Sequence, residues 1–153
     1  MSRKKPKYVK KLFESDGSAS DTSANIYQSM MESPAWMELS AKQKVLYLAC
    51  KSRYYGEKAK PNDDNLCFTM NRYVWAEKLQ LYPKTNGRDF YRDMAALIEH
   101  GFVICVRRGA NLQKKNFYRF SDAWQRYGTA DFSISPDCMT MTMLHQRMED
   151  KKA

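Results

Sequence analysis

The sequence predicts an α+β fold, because helix-spaced and strand-spaced apolar residues follow one another along a short chain. Of the 153 residues, 43% are hydrophobic, which is enough to build the core of one domain. Three observations support the prediction: a helix-capping pattern at Ser40, a helical apolar stripe that ends at Ile98, and two strand-like runs after Gly101. A helical core followed by a β-hairpin is therefore expected.

The longest early helix is predicted from a capping box, in which Ser40 and Gln43 satisfy each other's backbone N–H groups. Apolar residues at helical spacing continue from there, so this helix is predicted to run to about Tyr55, where a glycine follows. Ser33 followed by Pro34 predicts a short helical turn just before it, since proline suits the first position of a helix.

The middle of the chain predicts a strand and two more helices. A short strand is expected at 66–70, and Asn71 is expected to cap a helix over 72–79. The next helix is expected from about residue 85 or 86 to residue 100, where apolar residues recur at three- and four-residue spacing. Gly101 is expected to end that helix in a left-handed conformation.

Two strands and a last short helix complete the pattern. The run 102–106 is the strongest strand signal, a basic turn follows it, and 116–120 alternates as the return strand. Ser121-Asp122 then predicts the cap of a short helix that contains Trp124. The order helix, strand, helix, turn, helix, hairpin is that of a winged helix-turn-helix, with a three-helix core and a β-hairpin wing.

We predict three segments. Residues 1–25 form a disordered basic arm with a Ser/Gly/Asp linker, because such a composition buries too little apolar surface to order itself. Residues 26–128 form the winged-helix domain, and residues 129–153 form a C-terminal extension. Two structures are open for the end of that extension: a short amphipathic helix between Met139 and Met148, or a strand suggested by alternating methionines.

Positive charge is concentrated in two places. The formal net charge is +9, and residues 1–12 hold six basic residues and no acid. Residues 84–120 hold eight basic and three acidic residues, and the remainder of the chain is slightly acidic. Basic stretches of this kind are typical of nucleic-acid binding, although an exposed arginine or lysine is also commonly a solvated surface charge.

The second helix of a helix-turn-helix lies in the major groove of DNA, so its exposed residues are candidate contacts. Arginine suits guanine, asparagine suits adenine, and lysine or threonine suits phosphate. The predicted recognition residues are Lys84, Thr85, Asn86, Arg88, Tyr91 and Arg92. Asp89 and Asp93 are expected to weaken the positive field of this helix.

The hairpin and the arm supply the other candidate contacts, which are expected to meet phosphates or the minor groove and to add affinity more than base specificity. The predicted wing residues are Arg107, Arg108, Lys114 and Lys115. The predicted arm residues are Arg3, Lys4, Lys5, Lys7, Lys10 and Lys11.

Enzyme, metal and membrane classes are not indicated. The four cysteines stand far apart without a C-x-x-C pair, so they are expected to be small hydrophobic residues in a reducing cytoplasm. No phosphate-binding, dinucleotide-binding or zinc-protease motif occurs, which predicts a protein without catalytic residues, metal or cofactor. No apolar run approaches the roughly 20 residues of a membrane span, and no signal peptide is evident.

The segments Ser33-Pro34-Ala35-Trp36 and Leu97-Ile98-Glu99-His100-Gly101, with Phe68-Thr69-Met70 between them, give the chain a resemblance to a known family. Over about residues 27–127 it resembles the winged-helix domains of plasmid replication initiators. It also resembles small DNA-binding proteins of mobile elements in Gram-positive bacteria. The resemblance implies a cytoplasmic protein that binds duplex DNA at repeats near an origin or a promoter.

Initiators of that family carry further domains after the winged helix, whereas only about 25 residues follow it here. The resemblance therefore implies an accessory role in conjugative transfer or replication, beside a relaxase or a replication protein. Two alternatives remain open: a transcriptional regulator of element genes, and a winged-helix module that binds proteins. A homodimer on paired half-sites and a monomer on direct repeats both fit the sequence.

Overall fold

The computed structural model describes residues 9–53, 67–85, 87–109 and 115–153, and it confirms the α+β class. The α-helices are α1 (Gln28–Met31), α2 (Pro34–Glu38), α3 (Ala41–Ser52), α4 (Arg88–Glu99) and α5 (Met141–Lys152). The strands are β1 (Cys67–Phe68), β2 (Val103–Arg107) and β3 (Phe117–Phe120). A π-helix spans Tyr73–Lys78, and two 3-10 helices span Ala123–Arg126 and Pro136–Cys138.

The predicted caps of α2 and α3 are confirmed. Ser33 Oγ accepts a hydrogen bond from the Trp36 amide at 3.2 Å, with proline at the first helical position. Ser40 Oγ accepts from the Gln43 amide at 3.2 Å, and Gln43 Oε1 accepts from the Ser40 amide at 3.0 Å. In the described residues α3 ends at Ser52, and its predicted end near residue 55 lies outside them.

The three strands form one antiparallel sheet in the order β1-β3-β2. Phe68 of β1 is opposite Tyr118 of β3, and Cys105 of β2 is opposite the same tyrosine. The register shifts between Cys105 and Arg107, which is a β-bulge. Strand β1 is shorter than the run expected at 66–70, of which residue 66 lies outside the described residues.

The helix after Asn71 is wider than expected. Asn71 Oδ1 accepts from the Val74 amide at 3.1 Å, which confirms the predicted cap. The helix that follows is a π-helix, in which the Leu79 amide bonds the Val74 carbonyl at 2.9 Å, five residues back. Val74 and Trp75 are both buried, and the Trp75 ring stacks on Phe90 at a centroid distance of 4.9 Å.

Two amides of the turn between the π-helix and α4 donate to the same carbonyl, that of Trp75. The amides of Leu81 and Tyr82 bond the Trp75 carbonyl at 2.8 and 3.2 Å. Gln80 takes a positive φ of 51°, a conformation that costs an L-residue about 1–2 kcal/mol. Pro83 follows, so the chain turns sharply before α4.

Helix α4 is the central helix of the fold, and it packs against α3, β2 and α5. Its buried stripe is the predicted one and comprises Phe90, Met94, Leu97 and Ile98. It begins at Arg88, slightly later than expected, after Gly87. Gly101 follows with φ +83°, as predicted, and a Cβ there would lie 2.5 Å from the Trp124 amide nitrogen.

The C-terminal extension belongs to the core. Residues 141–152 form helix α5, one of the two structures that the sequence left open. Met139 and Met143 are fully buried, and Thr140 Oγ1 accepts from the Met143 amide at 3.2 Å. Arg147 of α5 pairs with Glu99 of α4. Residues 136–152, which we name the C-terminal strap, therefore complete one side of the fold.

The described part of the arm, residues 9–25, contains no helix or strand. Lys10 Nζ donates hydrogen bonds to the carbonyls of Ser18 and Asp21 at 2.8 and 2.9 Å, which closes this segment into a loop. Leu12 and Phe13 are almost wholly exposed. Residues 1–8, with the first four basic residues of the arm, lie outside the described residues.

Candidate nucleic-acid interface

Two arginines lie on the face of α4 that is opposite its buried stripe. Arg88 and Arg92 are one turn apart and exposed, whereas Phe90, Met94 and Leu97 on the other side are fully buried. The exposed face of α4 therefore carries cations while its inner face is fixed by the core. Both arginines are exposed, as the helical pattern predicts, and their contact with DNA stays a prediction.

Lys84 and Thr85 lie in the turn that leads into α4, and both are exposed. Lys84 Nζ lies 2.9 Å from Glu77 Oε1 of the π-helix, and 70% of the lysine side chain remains exposed. A surface pair of this kind is worth little, so Lys84 can exchange the carboxylate for another anion. Asn86 lies outside the described residues.

Tyr91 contributes to packing more than its predicted role implied. Its ring is half-buried against the core and meets Phe90 edge to face at 5.1 Å. Burial raises the pKa of the Tyr91 hydroxyl, and the nearby Arg72 guanidinium opposes that shift. A Cβ at Gly87 would lie 3.6 Å from the Tyr91 ring, so this glycine and the tyrosine are packed together.

Asp93, which the sequence predicts to weaken the positive field of this helix, is buried. Only 3% of the residue is exposed. Asp93 Oδ2 accepts from the Tyr82 hydroxyl at 2.7 Å, and Asp93 Oδ1 accepts from Gln43 Nε2 at 3.2 Å. Burial, then the Asp93 contact, raises the pKa of Tyr82, so this hydroxyl stays protonated and donating. The network ties α3, the turn and α4 together.

Arg92 reaches outward from this network. Its Nη1 lies 3.3 Å from Asp89 Oδ1, and its Nε lies 3.7 Å from Asp93 Oδ1. Two-thirds of the arginine side chain is exposed. Arg92 is therefore accessible and at the same time held by two carboxylates, one of which is buried.

Two basic residues that the sequence did not single out lie beside this surface. Lys42 Nζ lies over the Tyr82 ring, 4.5 Å from its centroid, and Tyr82 bonds Asp93 of α4. Arg72, exposed at the start of the π-helix, lies close enough to Tyr91 to act on its pKa. Both positions depend on contacts between residues far apart in the chain, so no local pattern could indicate them.

The hairpin places its two arginines differently. The Arg107 guanidinium lies 4.3 Å from the centroid of the Phe117 ring, and the residue is exposed. Arg108 instead donates to the Met139 carbonyl at 2.6 Å and to the Pro136 carbonyl at 2.9 Å, so its cation is used within the fold. Lys115 is exposed, and Lys114 lies outside the described residues.

The arm residues within the described part are Lys10 and Lys11. Lys10 is engaged with the carbonyls of Ser18 and Asp21, and Lys11 is exposed. The other predicted arm contacts, Arg3, Lys4, Lys5 and Lys7, lie outside that part of the chain.

The cysteines and the acidic residues form no further site in the parts of the chain that the structure describes. No three His, Cys, Asp or Glu side chains there come together as metal ligands. Cys50, Cys67, Cys105 and Cys138 are thiols rather than disulfides. Burial raises the pKa of the Cys105 thiol to about 11 and also raises that of Cys50, so neither thiol is activated as a nucleophile.

No helix within the four described ranges is long and apolar enough to cross a membrane. Comparison with known proteins gives no match to this chain, whether with protein-family models, curated proteins or solved structures.

Proposed function

We propose that this protein is a non-enzymatic, sequence-specific binder of double-stranded DNA, and that α4 is the helix that enters the major groove. One observation carries the proposal: Arg88 and Arg92 form an exposed basic stripe on a helix whose opposite face is fixed in the core. A reading helix needs both properties, because its side chains must reach base edges from a rigid support.

The surroundings of α4 support the same function. The π-helix and α4 are joined by a tight turn and precede an antiparallel hairpin, as in a winged helix-turn-helix. The proposed phosphate contacts come from elements other than the exposed face of α4. They would meet the two phosphate backbones that border the major groove. They are Lys42, Arg72, Lys84, Arg107 and Lys115.

Arg108 is assigned a different role from the one expected from the sequence. Arg108 donates to two carbonyls of the strap and only 29% of its side chain is exposed, so it is oriented into the fold and not toward a ligand. We therefore propose that Arg107, Lys114 and Lys115 are the wing contacts, and that Arg108 holds the strap.

The biological setting rests on the resemblance to plasmid initiators and mobile-element proteins. We propose a cytoplasmic accessory factor in conjugative transfer or replication that binds near an origin together with a relaxase or a replication protein. Control of transcription of element genes is the alternative.

Selection of bound duplexes from a random pool tests the proposal, followed by measurement of the dissociation constant over a range of salt concentrations. We expect a defined binding sequence. Arg88→Ala should lower affinity for it and relax preference at one position. Lys114→Ala with Lys115→Ala should weaken binding to all duplexes alike and reduce the salt slope by about one for each phosphate that is no longer neutralised.

Failure to enrich any sequence, with equal binding to all duplexes at physiological salt, would contradict the proposal. A stable complex with a co-encoded protein under those conditions would favour the protein-binding module instead.

A further inference from the structure

We propose that Arg92, one turn beyond Arg88, discriminates between bases, and that it does so because Asp93 and Asp89 orient its guanidinium before DNA arrives. The inference rests on the proposed function and adds the identity of a second base-reading side chain. It assigns guanine as the base, since guanine presents two acceptors, O6 and N7, to a guanidinium in the major groove.

Asp93, the buried carboxylate beside Arg92, is held in place by other parts of the fold. Asp93 is almost fully buried, and both of its oxygens accept hydrogen bonds, one from Tyr82 and one from Gln43. Gln43 is itself fixed, because its Oε1 accepts from the Ser40 amide in the capping box of α3. The carboxylate below Arg92 is therefore held by two other elements of the fold and has little freedom to move.

The guanidinium of Arg92 turns one edge toward the two aspartates and leaves another edge outward. Its contacts with Asp93 and Asp89 use Nε and Nη1, at 3.7 and 3.3 Å. A guanidinium has five N–H donors. These two ion pairs do not use Nη2, so its donors and the second donor of Nη1 form the outer edge. That edge has the spacing that a bidentate contact with guanine requires.

Arg92 differs from two other exposed cations of the surface, Lys84 and Arg107. Lys84 is paired with Glu77, but both side chains are largely exposed and neither is held from below. A lysine also lacks the planar fork needed for a bidentate contact. Arg107 lies over the Phe117 ring of the hairpin and is not part of α4. Of these three, Arg92 alone combines exposure with an ion pair to a buried carboxylate.

The acidic neighbours also have an electrostatic effect. They reduce the attraction of Arg92 for phosphates at any sequence, and they leave the bidentate contact, which depends on geometry, intact. Holding a side chain in its bound conformation lowers the entropy lost on binding. The arrangement therefore favours discrimination between bases over sequence-independent affinity for DNA. The flanking lysines, in contrast, add affinity at every sequence.

The test compares four proteins on three duplexes: the selected site, the same site with 7-deazaguanine at the guanine in question, and a scrambled duplex. For the wild type, loss of the N7 acceptor should weaken binding to the modified site. Arg92→Lys should lose about 10-fold or more on the selected site and change little on the scrambled duplex. Asp89→Asn should bind the scrambled duplex more tightly and discriminate less.

Glu77→Gln is the matched control, because it removes an exposed acid that pairs with Lys84 outside the Asp93 network. It should lower the dissociation constant for all three duplexes by the same factor. The ratio of affinities for the selected and scrambled duplexes should therefore stay unchanged. Far-UV circular dichroism and the melting temperature check that each variant is folded.

Equal fold-changes on the selected and scrambled duplexes for Arg92→Lys and Asp89→Asn would overturn the inference and leave sequence-specific binding in place. A wild type that binds the selected and scrambled duplexes equally would instead overturn the proposed function, and the assignment of Arg92 with it.

Discussion

Gly101 shows how one residue joins a helix to the rest of the fold. It ends α4 with a positive φ, and its α-carbon faces the backbone of the first 3-10 helix: a Cβ would lie 2.7 Å from the Ala123 carbonyl carbon. The Trp124 amide also donates to the Gly101 carbonyl at 3.0 Å. The sequence predicted the left-handed conformation from the helix end, but the close approach depends on residues more than 20 positions away.

Gly101→Ala should therefore destabilise the protein by about 3 kcal/mol or more, combining the left-handed strain with a backbone clash. Gly128→Ala is the matched control, because Gly128 has the same φ of +83° and open space where its Cβ would lie. The control should cost only about 1–2 kcal/mol for the conformation itself. Urea denaturation measures both. Equal losses would mean that the backbone contact at Gly101 contributes nothing.

Glu38 gives the molecule a pH-dependent contact. Its carboxylate accepts from the Tyr127 hydroxyl and lies 3.2 Å from His100 Nε2, and these two bonds lower the pKa of Glu38, the tyrosine bond more strongly. A carboxyl whose pKa is lower in the folded state stabilises the fold above its unfolded pKa, near 4.5. That stability is lost as the pH falls through the folded value.

Tyr127→Phe should therefore destabilise the protein near neutral pH, and the difference from the wild type should shrink as the pH falls below 4.5. Denaturation at a series of pH values measures the effect. Tyr73→Phe, at an exposed tyrosine of the π-helix, is the control and should give a small difference that does not vary with pH. A difference for Tyr127→Phe that stays constant at all pH values below 4.5 would contradict the assignment.

At the scale of elements, the sequence predicted the features that depend on neighbouring residues, such as helix caps and helix ends. The caps of α2 and α3, the apolar stripe of α4 and the Gly101 end all depend on residues within four positions of one another. The π-helix was not predicted, since no local residue pattern separates i+5 from i+4 bonding; its Trp75 stacks on Phe90 of α4, a contact between elements. The burial of Asp93 likewise depends on Gln43, 50 residues away.

The capping box of α3 can be tested by substitution. Ser40→Ala removes the acceptor for the Gln43 amide and should cost about 1 kcal/mol of unfolding free energy. Ser52→Ala, at the other end of the same helix, is the control. Ser52 is exposed, so water can replace the hydrogen bond from its hydroxyl to the Ala49 carbonyl, and the change should stay within about 0.5 kcal/mol. Thermal and urea denaturation should agree, and similar losses at both serines would refute the capping assignment.

At the scale of the whole molecule, the candidate surface was predicted in outline and corrected in detail. The positions of Arg88, Arg92 and Arg107 follow from the helix and hairpin patterns alone. The use of Arg108 inside the fold does not, because the carbonyls that it bonds belong to the C-terminal strap, about 30 residues later. Long-range contacts of this kind decide which cations of a basic stretch can reach a ligand.

Arg108→Met keeps the aliphatic part of the side chain and removes its hydrogen bonds to the strap. We expect the protein to be destabilised by about 2 kcal/mol, typical of bonds from a charged donor, together with faster amide hydrogen exchange in α5. Arg107→Met is the control. It should lower DNA affinity and leave exchange in α5 unchanged, since Arg107 lies on the Phe117 ring. Unchanged exchange in α5 for both variants would mean that Arg108 does not hold the strap.

The buried methionines of the strap also bear on how the chain folds during its synthesis. Met139 and Met143 are fully enclosed and pack with a core whose other members are nearly all made earlier. A nascent chain that stops before Met139 leaves the space for both side chains open to water, and one side of α4 has no cover. We expect ribosome-bound intermediates of this length to be recognised by chaperones, and the final closure of the core to wait for the emergence of α5.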